Sequence, residues 1–136
     1  MRPSFDDLYL RMAFLISSRS VDPFTKVGCI AVNDKNELIG ASYNGFPPKY
    51  DPKFDLPEER DKKNLLIFHA EQNIILRMAR GTIHTLYLTH SCCRSCAKLV
   101  SGHGVKKVIY SEEYHLEQDF KEIFSEFGVE FIKKSL

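Results

Sequence analysis

The stretch that decides the fold is IHTLYLTHSCCRSCAKLVSGHGVKKVIY, residues 83–110. It contains a strand pattern at residues 84–89, a helix pattern from about 93 to 102 and a second strand pattern at 105–110. Two strands joined by a helix normally lie parallel in one sheet, with a right-handed crossover. This segment therefore predicts an α/β protein with a parallel unit in its sheet.

The patterns before and after this segment complete the prediction. Ser4 to Asp7 form a helix-capping S-x-x-D sequence, and the turn-forming residues 33–36 separate two strand patterns. The remaining predicted elements are a helix to about residue 18, strands at 27–32 and 37–43, helices near 68–79 and 115–126, and a strand at 129–132. The order αββαβαβαβ predicts a mixed sheet, antiparallel at the first hairpin and parallel later, with helices on its faces.

Residues 44–63 follow no regular pattern and contain Pro47, Pro48, Pro52 and Pro57 among many charged residues. Loops of this length inside a compact domain are usually functional or mobile. We therefore interpret this segment as an irregular loop.

The composition limits the classes of protein to which the chain can belong. Its 136 residues, 43% of them hydrophobic, suit one globular domain over residues 1–136. The net charge of +1 argues against non-specific binding to nucleic acid. The N-terminus carries acidic residues where a signal peptide needs a cationic start, and no apolar stretch reaches the roughly eighteen residues of a membrane span. We expect a soluble, cytoplasmic protein.

Two short motifs carry the chemistry. His69-Ala70-Glu71 and Cys93-Arg94-Ser95-Cys96 both fall at predicted helix starts, where the helix dipole favours thiolates and carboxylates. Cys93 and Cys96 can face one ion, and His69 from the neighbouring helix would complete three zinc ligands. A three-ligand zinc keeps an open position for water, and Glu71 would then carry protons. The motifs predict a hydrolytic zinc site.

Other interpretations of these motifs remain open. A closed, structural zinc would need a fourth protein ligand, which Cys92, His90 or His103 could supply. A redox role for the C-x-x-C pair is less consistent with the H-x-E motif beside it. A non-enzymatic zinc module would leave Glu71 without a function.

The motifs and the blocks around them resemble the zinc-dependent cytidine and deoxycytidylate deaminase superfamily and, within it, the deoxycytidylate (dCMP) deaminases. The matching blocks are residues 19–28, 42–47, 69–74, 93–99 and 105–110. The resemblance implies a three-layer α/β/α fold with a five-stranded mixed sheet in the order 2-1-3-4-5. It also implies attack of zinc-bound hydroxide on C4 of the cytosine ring, with Glu71 moving protons. The product would be dUMP, the precursor for thymidylate synthesis, with release of ammonia.

The resemblance further implies a set of substrate contacts. The implied substrate-binding residues are Arg19, Ser20, Lys26, Val27, Asn44, Ala70 and Tyr114. Asn44 would contact the deoxyribose 3′-hydroxyl, the Ala70 backbone would contact cytosine O2, and Val27 would form a pocket wall. The two cations and the hydroxyl of residues 19–26 suit one phosphate group. The alternatives are a strand-ending turn at Asn44, a solvated loop at 19–26 and simple packing of Tyr114.

Regulation and assembly are also implied by the resemblance. Many deoxycytidylate deaminases are hexamers that dCTP activates and dTTP inhibits, commonly with Mg²⁺ on the phosphates of the regulatory nucleotide. The implied regulatory residues are Tyr43, Asn44, Gly45 and Phe46, and Arg80 matches a subunit-interface position. Alternative substrates are dCTP in addition to dCMP or, with less support from the net charge, a cytosine in nucleic acid.

The chain departs from the family pattern in three places. Cys92 stands where the family usually has proline before the first ligand cysteine, and we interpret it as a replaced proline rather than a ligand. Residues 44–68 contain neither Cys nor His, so we expect one zinc per subunit. The sequence after Pro48 differs from the common loop, which leaves regulation and the choice between dCMP and dCTP open. A cellular and a viral origin fit the sequence equally well. If the origin is viral, the expected location is the cytoplasm of the host.

Overall fold

The computed structural model describes residues 1–50 and 60–136. The elements in chain order are α1 (Phe5–Ser17), β1 (Gly28–Val32), β2 (Leu38–Tyr43), α2 (Arg60–Leu66), α3 (Ala70–Arg77), β3 (Thr85–His90), α4 (Arg94–His103), β4 (Lys107–Glu112), α5 (Asp119–Glu126) and β5 (Glu130–Lys133). Five strands form a sheet in the order β2-β1-β3-β4-β5. Strand β1 is antiparallel to β2 and β3, whereas β3, β4 and β5 are parallel. The predicted α/β class, mixed sheet and strand order are confirmed.

Helix α1 covers one face of the sheet. Its first turn is capped by Ser4, whose Oγ accepts a hydrogen bond from the backbone N of Asp7 at 3.1 Å. The buried side of α1 packs against strand residues that alternate toward this face. The cluster contains Tyr9, Leu10, Ala13, Ile30, Val32, Tyr87 and Ile109.

Helices α3, α4 and α5 pack on the other face and complete three layers. The buried residues that these helices contribute are Ala70, Ile74, Cys96, Ala97, Val100, Phe120 and Phe124. Strand residues Cys29, Ala31, Leu86, Leu88 and Val108 point toward them in the same cluster. Helix α4 begins four residues after β3 ends, and α3 begins beside it, so their first turns lie at one edge of the sheet.

Helix α2 was not predicted: its first four residues lie within the segment 44–63 that we interpreted as an irregular loop, and residues 64–66 were assigned to no element. Its sequence, RDKKNLL, is mostly polar, and Lys63 is its buried residue. The Lys63 Nζ forms an ion pair with Asp22 Oδ2 at 2.8 Å, a contact between residues far apart in the chain. A local pattern cannot reveal such a contact. Pro52 and Pro57 of the predicted loop lie outside the described residues.

Two further helices begin later than predicted. Helix α3 begins at Ala70, because Phe68 is still extended and exchanges two backbone hydrogen bonds with Gly45 at 2.7 and 2.9 Å. Helix α5 begins at Asp119 rather than near residue 115. The late start of α3 places His69 at its N-cap, with extended backbone angles.

Among the described residues, the helices are too short or too polar for any of them to span a bilayer.

The packing of α1 on β1 makes a stability prediction. A Cβ added at Gly28 would lie 1.8 Å from the Ala13 carbonyl oxygen, so the helix or the strand must shift. We expect Gly28→Ala to lower the free energy of unfolding by about 3 kcal/mol, the upper end of the usual cost of overpacking. Gly102→Ala is the matched control, because nothing lies within 4 Å of a Cβ at that exposed helical position. Urea unfolding followed by circular dichroism measures both, and a Gly28→Ala variant as stable as Gly102→Ala would contradict the packing.

Candidate functional site

The structure brings the three predicted metal ligands together. The ligand atoms of His69, Cys93 and Cys96 all lie within 4.8 Å of one another. His69 Nδ1 is 3.2 Å from Cys96 Sγ and 3.5 Å from Cys93 Sγ. Ligands bonded at about 2.0–2.3 Å to one tetrahedral ion are themselves roughly 3.5–3.8 Å apart. Two sulfurs and one imidazole nitrogen at this spacing are a donor set that fits zinc.

The first turns of two helices position these ligands. His69 is the N-cap of α3 and Cys93 is the N-cap of α4, while Cys96 follows one turn later and is fully buried. The positive end of the α4 dipole and the free N–H groups there favour a thiolate. Both N-caps have extended backbone angles, which turn their side chains toward the gap between the helices.

The pKa values of the Cys93 and Cys96 thiols are shifted in opposite directions. Hydrogen bonds lower the pKa of Cys93 to about 3, the largest contribution coming from Cys96, followed by that of His69. The pKa of Cys96 is raised, because it donates its proton to Cys93 and is buried. The pKa of His69 is raised by its hydrogen bond with Cys93. These contacts favour the thiolate at Cys93, and a divalent cation bound by both sulfurs would displace the proton of Cys96.

Glu71 lies beside the triad in the first turn of α3. Its side chain is buried, with a relative exposure of 4% for the residue, and this burial raises the pKa of the carboxyl group. Burial raises the pKa of a carboxyl group because it disfavours the charged form. Glu71 is therefore a buried carboxyl group beside the triad, with a pKa above its usual value.

The three other residues considered as a fourth ligand lie elsewhere. Cys92 is buried with its thiol outside the triad, and its pKa is raised by burial and by Glu71. His90 pairs with Glu112 at 2.9 Å, and His103 Nε2 lies 3.4 Å from the Met78 carbonyl oxygen. Within the described residues the metal group consists of three ligands, which leaves a fourth position open.

A cavity of about 430 Å³ opens beside the triad, within the usual size of ligand pockets. The predicted residues that line it are Val27, Asn44, His69, Ala70, Glu71, Cys93 and Tyr114. The residues that sequence reasoning did not select are Asp22, Phe24, Thr25, Arg60, Lys63, Asn64, Ile67, Ser91, Leu116 and Glu117. Asp22 and Thr25 belong to residues 19–28, one of the blocks that carry the family resemblance. No local sequence pattern indicates that α2 would line the cavity.

The predicted phosphate residues do not line this cavity. Arg19 and Lys26 have exposed side chains, and Ser20 is buried with its Oγ accepting a hydrogen bond from Asp22 N at 3.2 Å. Thr25, from the same segment, does line the cavity. Arg19, Ser20 and Lys26 stay predictions from sequence.

Asn44 organises the cavity wall. Its Oδ1 accepts a hydrogen bond from Val27 N at 2.9 Å, and its Nδ2 donates to the Thr25 carbonyl oxygen at 2.9 Å. Nδ2 also lies 3.4 Å from Asp22 Oδ2. The side chain thus ties the end of β2 to residues 22–27 while facing the cavity.

Ala70 and Tyr114 border the cavity on other elements. The Ala70 carbonyl accepts a hydrogen bond from Ser42 Oγ at 2.6 Å, and the Ala70 N–H belongs to the helix start that lacks intrahelical acceptors. The Tyr114 ring stacks on His90 with centroids 5.3 Å apart, and burial raises the pKa of Tyr114 to about 12. Tyr114 is thereby a neutral hydroxyl group at the cavity.

Of the predicted regulatory and interface residues, Asn44 lines this cavity, whereas Tyr43, Gly45, Phe46 and Arg80 do not. The Tyr43 carbonyl accepts a hydrogen bond from Asn73 Nδ2 at 3.0 Å, and Gly45 bridges to Phe68. The Phe46 ring lies 5.2 Å from that of Tyr50. Arg80 is exposed after the end of α3.

Residues 3–112 match the family model described as the cytidine and deoxycytidylate deaminase zinc-binding region. A Caenorhabditis elegans protein named "Probable deoxycytidylate deaminase" is 38% identical over 109 residues, which are 76% of this chain and 55% of that protein. The deoxycytidylate deaminase of Homo sapiens is 34% identical over 80% of this chain and 66% of its own length. The chain thus spans between half and two thirds of these relatives.

A solved structure matches over nearly all of both chains. It is the dCMP deaminase of the cyanophage S-TIM5 in complex with dCMP and dUMP, with a TM-score of 0.82 and 31% identity. The match covers 98% of this chain and 99% of the phage chain.

The triad predicts how the protein holds zinc. We expect about one zinc per chain after dialysis against a weak chelator, and loss of most of it in Cys96→Ala, because two protein ligands hold zinc poorly. Cys29→Ala is the control, since Cys29 is an equally buried thiol of the same hydrophobic cluster but lies outside the triad. Metal analysis of the folded proteins measures both. Full zinc in Cys96→Ala, or none in the unaltered protein, would contradict the assignment.

Proposed function

Since this chain belongs to the cytidine and deoxycytidylate deaminase family, we propose that it catalyses the hydrolytic deamination of dCMP to dUMP with release of ammonia. The observation that carries the proposal is the buried Glu71 beside a triad of zinc ligands in one nucleotide-sized cavity. The choice of dCMP is supported by the match with the phage dCMP deaminase over nearly all of both chains.

Zinc bound by one histidine and two cysteines would supply Lewis acidity, which lowers the pKa of a water molecule to about 7. The remaining chemistry falls to side chains of this protein. Glu71 takes a proton from the attacking water and gives it to N3 of the cytosine ring, as the non-ligand glutamate does in zinc deaminases as a class. It then takes the second proton of that water from the new C4 hydroxyl and gives it to the departing amino group, so that the C4–N bond breaks and water and dCMP yield dUMP and ammonia.

The cavity walls hold the base for this reaction. Val27 and Ile67 supply apolar surface to the cavity. Ala70, the first residue of α3, also lines it, and its backbone N–H has no acceptor within the helix. Asn44 keeps Val27 in place through its hydrogen bond to the Val27 backbone. We propose that the Ala70 N–H binds cytosine O2 and that the Asn44 amide oxygen accepts the sugar 3′-hydroxyl with its remaining lone pair.

Removing the carboxylate tests the proton transfer. We expect Glu71→Gln to keep its zinc and to lose dCMP deaminase activity by about 10³-fold or more, because general acid/base catalysis contributes roughly 10²–10⁴-fold. Glu126→Gln, an exposed residue of α5, is the charge-matched control and should keep full activity. Ammonia release and zinc content are measured together. Near-normal turnover by zinc-loaded Glu71→Gln would rule out the proposed role.

A substrate panel separates the candidate functions. Deoxycytidine, dCMP, dCTP, CMP and a cytosine-containing oligonucleotide are compared by kcat/KM. Preference for dCMP supports the proposal, comparable use of dCTP indicates a bifunctional enzyme, and preference for the oligonucleotide indicates an editing deaminase. A zinc-loaded protein that deaminates none of them would favour a zinc-binding module without activity.

We also propose a regulated homo-oligomer, with a hexamer favoured, that dCTP activates and dTTP inhibits with Mg²⁺ on the nucleotide phosphates. The support is the family resemblance of residues 43–46 and of Arg80, together with the exposure of Arg80. In this proposal the protein acts in the cytoplasm and its dUMP supplies thymidylate synthesis.

Assembly and regulation can be measured separately. We expect light scattering to give a hexamer, and Arg80→Glu to give smaller species, because a reversed charge at an interface opposes association. Arg11→Glu on α1 is the control for a reversed surface charge. Titration with dCTP and dTTP should shift dCMP affinity reciprocally. A monomer at assay concentration, or identical masses for both variants, would contradict the proposed interface.

A further inference from the structure

Helix α2 contributes the cationic part of the cavity wall. Arg60, Lys63 and Asn64 line the same cavity as Glu71 and the metal ligands. Both cations contact the Phe24 ring, with Arg60 Cζ 4.4 Å and Lys63 Nζ 5.2 Å from its centroid. Two positive charges and an aromatic ring therefore meet at one part of the cavity.

The charge of Lys63 is already neutralised. Its Nζ lies 2.8 Å from Asp22 Oδ2, and the side chains of both residues are less than a tenth exposed. Asp22 also accepts hydrogen bonds from Phe24 N at 2.8 Å and Thr25 N at 3.2 Å through Oδ1. Lys63 and Asp22 thus fix α2 to the segment before β1, and an isolated Asp22 carboxylate would be costly to bury.

Arg60 is differently placed. It is exposed, and no carboxylate within residues 1–50 and 60–136 forms an ion pair with it. Its guanidinium lies over the Phe24 ring, which offers a cation–π contact and restricts the side chain. A guanidinium whose face packs on an aromatic ring still has N–H donors along its edge. The fork geometry of these donors matches two phosphate oxygens.

The carboxylates of the cavity have other partners. Glu117 Oε1 accepts a hydrogen bond from Arg94 N at 2.7 Å, and Asp22 is held by Lys63. Glu71 is buried beside the triad. Arg60 is therefore the cation of the described cavity wall that is available to an anionic group of a ligand.

We propose that Arg60, supported by Phe24 and by the Lys63–Asp22 pair, binds the 5′-phosphate of the nucleotide substrate and selects nucleotides over nucleosides. This inference rests on the proposed deaminase function. It assigns the phosphate to α2 rather than to Arg19 and Lys26, whose side chains are exposed outside the cavity lining.

The test compares two substrates that differ only in the phosphate. In Arg60→Gln we expect kcat/KM for dCMP to fall roughly 10- to 100-fold, the range for a lost charge-assisted hydrogen bond, with deoxycytidine changed less than about 2-fold. Arg60→Lys should retain part of the dCMP activity, since a point charge replaces the fork. Arg11→Gln is the neutral control. Because Arg60 is exposed, these variants should remain folded, which circular dichroism verifies.

Calorimetric binding of dUMP and deoxyuridine to the zinc-loaded protein gives a readout independent of turnover. Weaker dUMP binding by Arg60→Gln, with deoxyuridine binding unchanged, supports the phosphate contact. An unchanged preference for dCMP over deoxycytidine in Arg60→Gln overturns it, as does a larger loss in Arg19→Gln or Lys26→Gln. An unaltered protein that deaminates neither substrate refutes the deaminase proposal instead, and the dUMP titration then decides the phosphate site alone.

Discussion

The site depends on two helices that begin at the same edge of the sheet. The N-cap residues of α3 and α4 are His69 and Cys93, and the small, fully buried Ala70 and Ala97 lie in the first turn of each helix. Small side chains permit close approach of the two helix starts, and the helix dipoles favour negative charge between them. The positions of the three proposed metal ligands and of the buried Glu71 carboxyl group follow from this arrangement.

The sequence predicted this centre well because its signals are local. Short spacings placed H-x-E and C-x-x-C at helix starts, and alternating apolar residues indicated the strands, whereas the strand order was implied by the family resemblance. Helix α2 could not be predicted in this way, because its buried Lys63 pairs with Asp22, 41 positions away in the chain. Its polar sequence carries no helical apolar pattern, so only the folded structure reveals that it lines the cavity.

Asn44 shows why a residue's position can be predicted more easily than its role. From sequence it is either a strand-ending turn residue or a substrate contact. The structure makes it the link between the end of β2 and residues 22–27, while its side chain also lines the cavity. One amide can hold this link and still face the cavity because it has several donor and acceptor positions.

Different contacts hold the two parts of the cavity wall, and the Lys63–Asp22 pair belongs to one of them. The proposed metal ligands lie at the starts of α3 and α4 against the core, whereas α2 is held to the segment before β1 by the buried Lys63–Asp22 pair and by the contacts of Arg60 and Lys63 with Phe24. Substitutions in α2 can therefore change which ligand the cavity holds without altering the proposed zinc ligands. Substrate range and reaction chemistry can evolve independently in such a chain.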